Sequence, residues 1–135
     1  DQALFDDALL LVQNNVMLDS AVAMLDRVIA DFPDLPAARH AKAAALQLGW
    51  MNQQSARALE VQALAPTYTV NFAAGVRGFV DERRLNRARA AYREALRLQA
   101  HPYTRLNLAV LDAYAGDAAA ARSGAQAALA AAPNE

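Results

Sequence analysis

Helix-ending punctuation recurs along this chain at a nearly constant interval: Phe32-Pro33, Ala65-Pro66, Gln99-Ala100 and Ala132-Pro133 are spaced 33, 34 and 33 residues apart. A fixed interval of this length is rarely accidental and describes a supersecondary unit repeated in tandem. Upstream of each ending runs an amphipathic set: Ala21, Leu25, Val28 and Ile29; Ala58, Val61 and Leu64; Ala88, Tyr92, Ala95 and Leu96; Ala121, Ala125, Ala128 and Leu129. Steps of three and four put each set on one face of a helix. A second helix precedes each run, across a short break at Asn14-Asn15, at Gly49, from Asp81 to Arg84, and at Gly116-Asp117. Two helices per interval predict antiparallel hairpins.

Composition favours helix throughout. The 135 residues include about 35 Ala against five Gly and five Pro, and Ala is the least costly residue in a helix while Gly and Pro are the most costly. Asp117 is placed to cap the run from Ala118, Asp34 to cap the helix holding Pro36, and Pro102 stands where a first helical turn needs no amide donor. The spans read as helices are about 2–15, 19–32, 35–48, 53–65, 69–81, 84–99, 102–115 and 118–132.

A period near 34 with two helices, a small residue early in the second, a large one four later, a small one three after that and a closing Pro resembles the tetratricopeptide repeat. The likeness covers essentially the whole chain. The last unit carries it as Gly116-Asp117, Ala121, Ala125, Ala128 and Pro133; the third as Leu85, Ala88, Tyr92, Ala95 and Leu96; the first as Ala21, Leu25, Val28 and Pro33. The second is the weakest match, with Gln54 where a small residue belongs, although Gly49 and Pro66 keep the spacing. Among first helices, Phe5 and Phe72 match the opening aromatic, Phe79 the later aromatic and Leu108 the central Leu, while Ala38, Arg105 and Asp112 depart from the pattern. The resemblance implies an all-α, right-handed superhelical solenoid of about eight antiparallel-paired helices. It divides one domain, 1–135, into about four repeats near 2–35, 36–68, 69–101 and 102–135. An ordinary helical bundle with coincidental spacing is the competing architecture. In a solenoid each hairpin depends on its neighbours, so loss of an internal unit should unfold the rest. The last helix is Ala-rich on all sides with no polar cap after it, so a longer parent protein or a second chain is expected to cover that end.

Nothing in the pattern predicts catalysis. With no Cys there is neither a thiolate metal site nor a disulfide framework, and a reducing or an oxidising compartment, cytoplasm or periplasm, suits the chain equally. His40 and His101 are 61 residues apart in different units, which argues against a metal site. Ser20, Ser55 and Ser123 lack a nucleophile-elbow context, and Gly75-x-x-Gly78 lacks the Lys and the frame of a phosphate loop. The acidic pairs Asp6-Asp7 and Asp81-Glu82 point in different directions on a helix and read as solvated helix ends. No cofactor is expected. A net charge of -1 predicts no nucleic-acid partner, and the longest apolar stretches, Ala8 to Val12 and Ala125 to Ala132, are too short to span a bilayer. The start of the chain, without Met or a basic-then-apolar leader, reads as a processed or internal end. Ala and Arg richness with a single Lys is bacterial in style.

Two features compete as the binding surface. Arg83, Arg84, Arg87, Arg89, Arg93 and Arg97 form the strongest charge cluster, with the last three recurring every four residues. They suit an anion- or polysaccharide-binding stripe, but in the family register those three fall on the outer, convex side, where charge keeps the surface wet. The resemblance also implies a concave face lined by first helices and holding a peptide. That face would carry Asp6, Asp7, Leu10 and Asn14; Arg39, His40, Ala43 and Gln47; Ala73, Ala74, Arg77 and Val80; and Tyr103, Leu106, Asn107, Val110 and Tyr114. Tyr103, Leu106, Val110 and Tyr114 form one stripe, either a groove wall or core, and Leu108 and Leu111 already supply this helix with a core side. Arg39, His40 and Arg77 would pair with acidic groups of the peptide, and Ala43, Ala73 and Ala74 would leave it room. Since Lys42 is the only Lys, the Lys-and-Asn clamp that grips a C-terminal carboxylate in some of these repeats is disfavoured. The expected function is a non-catalytic protein- or peptide-binding scaffold; the alternatives are self-association through the last helix and anion binding through the Arg-rich unit.

Overall fold

The computed structural model describes residues 2–64 and 82–131, with side chains through residue 54 in the first stretch. Among these residues all regular structure is helical: α1 (Gln2–Gln13), α2 (Leu18–Asp31), α3 (Pro36–Leu64), α4 (Glu82–Leu98), α5 (Pro102–Tyr114) and α6 (Ala118–Ala131). The helix expected over 69–81, with Arg77, Ala73, Ala74, Val80 and the Gly75/Gly78 pair, lies outside the described residues.

Two of the expected breaks share one chemistry. At the end of α1, Asn15 adopts φ 54° while its N–H bonds to the Val12 carbonyl and that of Val16 to the Leu11 carbonyl. At the end of α5, Gly116 adopts φ 86° while its N–H bonds to Ala113 and that of Asp117 to Asp112. Both are helix ends in which a left-handed residue lets the chain reverse and satisfies the last carbonyls. The next helix then starts with its own cap: the Asp117 carboxylate accepts the Ala120 N–H at 3.1 Å. Pro36 and Pro102 are the first residues of α3 and α5, where a missing N–H costs nothing.

The break expected at Gly49 does not occur. α3 runs uninterrupted for 29 residues, about 43 Å at 1.5 Å per residue. Gly49 carries no left-handed φ, and the next residue, Trp50, is only 4% exposed within the core. Burial of that indole holds the helix through the glycine, and the weak helix-breaking tendency of one Gly is overridden.

Neighbours in sequence pack in sequence: α1 on α2, α2 on α3, α3 on α4, α4 on α5 and α5 on α6. Alternate helices also meet, and they run parallel. Ala8 of α1 shares a core cluster with Ala41 of α3, and beyond the end of α1 Asn15 exchanges two amide hydrogen bonds with Asn52. His40 and Trp50 of α3 meet Thr104 and Tyr114 of α5, both pairs being 64 residues apart. Between α5 and α6 the approach is close enough that a Cβ on Gly124 would stand 3.2 Å from the Ala109 Cβ.

The core forms two clusters. Ala8, Leu25 and Ala41, with Phe5, Leu9, Val12 and Met24 around them, join α1, α2 and α3. Ala43, Trp50, Leu85, Ala88, Tyr92 and Leu111 join α3, α4 and α5. Buried positions keep helical spacing, as in Ala21, Val22, Leu25 and Val28 of α2 and Leu85, Ala88, Tyr92 and Ala95 of α4. Truncating a fully enclosed Leu such as Leu25 or Leu111 costs about 2–5 kcal/mol in cores of this kind. The Tyr92 hydroxyl donates to Gln47 Oε1, and burial pushes its pKa up to about 12 against the opposing effect of a hydrogen bond with Asn107.

Candidate binding face

The helical repeat angle decides which side chains reach open surface. In α5, Leu111 is fully buried and Leu108 packs on the core, whereas Tyr103, Leu106, Val110 and Tyr114 are 54%, 44%, 44% and 47% exposed. These four stand on one side of the helix, between the side that meets α3 and the side that meets α6, and form a ridge about 16 Å long. Tyr114 meets the edge of Trp50 with ring centroids 5.1 Å apart, so the ridge is anchored to α3 at its C-terminal end. At the other end the Tyr103 ring lies 5.6 Å from that of His101.

On α3 the expected face is displaced by part of a turn. Ala43 leaves no room beside the ridge, since it is completely buried in the core cluster. Gln47 accepts the Tyr92 hydrogen bond, and the Arg39 guanidinium turns back to the Pro33 carbonyl at 3.3 Å from two nitrogens. His40 bonds through Nδ1 to the Thr104 hydroxyl at 2.7 Å, and its Nε2 is enclosed without a partner. The reason is rotational. His40 faces α5 and Asn52 faces α1, so the side of α3 between those neighbours carries Ala44, Leu48 and Met51. Met51 is 45% exposed there. On α1, Asp6, Asp7, Leu10 and Asn14 are all exposed, with Leu10 at 56%. Asn107 is half-buried and spends its amide on Tyr92. Arg77 lies outside the described residues.

The histidines meet in space, with ring centroids 6.2 Å apart. His101 caps α5, its Nδ1 accepting the Tyr103 N–H at 3.3 Å. Burial, with the nearby His101 second, holds the His40 pKa below 6.5.

The arginine stripe is a wet outer face at Arg93 and Arg97, which are exposed, but not at Arg89. Arg89 is mostly buried; its Nε lies 2.7 Å from the Asp112 carboxylate, which also takes Arg93 at 3.3 Å. Asp112 is 4% exposed, so these arginines clamp α4 to α5. Arg97 pairs with Glu94 of its own helix at 2.9 Å and stays exposed. Periodicity on α4 gave no sign of the clamp because the carboxylate sits on another helix.

No protein-family model, no curated protein and no solved structure matches this chain.

Proposed function

We propose that the chain is a non-catalytic scaffold that holds a protein or peptide segment on the face shared by α1, α3 and α5. The observation that carries this reading is the ridge Tyr103, Leu106, Val110 and Tyr114, four aligned apolar side chains about half exposed on a helix whose core side is already filled by Leu111. Tyr and Leu in such a row give large contact area at low entropic cost, and Met51 beside them supplies an adaptable edge. The face is a candidate for the inner side of a tetratricopeptide-like solenoid. In that reading the successive hairpins among the described residues are α1/α2, α3/α4 and α5/α6. The parallel run of α1, α3 and α5 supports it.

The test is a double substitution, Leu106→Ala with Tyr114→Ala. A random peptide library displayed on phage and panned on the immobilised protein should yield a consensus with apolar anchors for the wild type and none for the variant. Both changes sit on exposed positions, so the variant should melt within about 3 °C of the wild type. Retained selection by the folded variant, or collapse of its fold, would each sink the proposal.

A further inference from the structure

On the side of α3 turned away from Met51, α2 and α4 stand as two banks of an open groove of about 630 Å³. Its floor is apolar, with Val22 and Leu46. One bank carries Asp19 and Asp26 of α2, the other Arg83, Arg84 and Arg87 of α4. The volume is that of a small-molecule site.

The arginines of α4 divide into two groups by what they touch. Those in its second half are used within the fold, Arg89 and Arg93 on Asp112 and Arg97 on Glu94. Arg84 has a partner of its own and lies across α3, a guanidinium nitrogen 4.0 Å from where a Cβ on Gly49 would stand. Arg83 and Arg87, one turn apart and both exposed, have no ion pair among the described residues. Helix stability does not explain Arg83, because a cation in the first turn opposes the helix dipole. On the facing bank Asp26 is neutralised by Lys42 at 2.6 Å, which leaves Asp19 as the acid open to a ligand.

We propose that this groove binds a compact phosphorylated small molecule. Arg83 and Arg87 hold the phosphate by charge-assisted hydrogen bonds, Val22 and Leu46 support its body, and Asp19 accepts from a hydroxyl at its far end. The facing bank sets the class of ligand: the open Asp19 carboxylate opposes an extended polyanion such as a nucleic acid, whereas a single phosphate with a hydroxylated body satisfies both walls. The site is separate from the α5 ridge and does not depend on it.

Thermal melting and calorimetric titration at low ionic strength test the assignment, with glucose 6-phosphate, glucose, inorganic phosphate and a DNA duplex as probes. At roughly tenfold excess over its Kd, glucose 6-phosphate should raise the Tm by about 5 °C, and glucose should not. Inorganic phosphate should bind more weakly, and Asp19→Asn should narrow that difference. Arg83→Gln with Arg87→Gln should weaken glucose 6-phosphate by at least roughly tenfold while leaving the free protein as stable or more stable. Arg97→Gln should change nothing. The proposal is overturned by no response in the wild type, by an equal response in the Arg83/Arg87 variant, by equal loss in Arg97→Gln, or by a duplex that binds more tightly than glucose 6-phosphate. If the double variant melts early, the single Arg87→Gln change decides on the same readouts.

Discussion

Replacing Gly49 by Ala distinguishes a continuous α3 from a pair of helices broken at that glycine. In the interior of a helix the change is worth about 0.5–1 kcal/mol through the lower backbone entropy of the unfolded chain. The added methyl meets nothing nearer than a guanidinium nitrogen of Arg84 at 4.0 Å, an ordinary contact that carries no steric cost. Partial burial of the methyl adds a few tenths, so the expected gain is about 1 kcal/mol. For a chain of 135 residues that corresponds to a rise in Tm of about 3–5 °C. In urea the midpoint should rise by about 0.5 M with an unchanged m-value, because the surface exposed on unfolding stays the same. Gly116→Ala is the control of opposite sign: at φ 86° a side chain is strained and no neighbour within 4 Å compensates, so about 1 kcal/mol should be lost. If Gly49→Ala instead destabilised the protein by the same amount as Gly116→Ala, Gly49 would have to sit in a turn and the continuous helix would be wrong.

Removing the Asp112 carboxylate with Ala should cost about 2–4 kcal/mol in urea unfolding, because the mostly buried Arg89 loses its closest carboxylate and keeps only Asp117 at 3.8 Å, whereas Glu94→Ala should cost less than about 0.5 kcal/mol because its pair with Arg97 is exposed. Equal losses in the two variants would contradict the clamp. Gly124→Leu should force α5 and α6 apart, since even a Cβ there approaches Ala109 to 3.2 Å; a loss of about 2 kcal/mol or more is expected in thermal melts, and none would show that the helices are not in close contact. The lowered pKa of His40 makes the folded state bind fewer protons than the unfolded one, so stability is fully present above pH 6.5 and declines as pH falls through 6.5 toward the folded-state value. His40→Gln should flatten that part of the Tm-against-pH curve, and an unchanged slope would assign it to another group.

The hairpin ends were legible where one local signal agreed with the next. Asn14-Asn15 and Gly116-Asp117 each put a residue that tolerates the left-handed region at the end of an apolar run, and Asp117 then caps the following helix. Gly49 carried only the first half of that signal. What decided it was the buried Trp50, and burial of a single indole is a tertiary fact that spacing does not display. The same holds for Arg89 and Arg93. Their period of four reads as a surface stripe, and only the position of Asp112 on α5 makes it a clamp. The α5 ridge was visible because Leu108 and Leu111 already satisfied the core side of that helix. The corresponding face of α3 was read part of a turn away because its register depends on how α3 rolls between α1 and α5, which no local rule sets.

α3 enters both core clusters, through Ala41 on one side and through Ala43 and Trp50 on the other. The clusters therefore cannot melt independently, and amide protons along the first half of α3 should exchange with solvent only when the whole chain opens. α6 stands at the opposite extreme. Ala128 is its one residue buried below the surface, and it touches the rest through α5. Its protons should exchange through partial opening at a much smaller free energy, so the hierarchy of protection runs outward from α3 and ends at the alanine-rich helix.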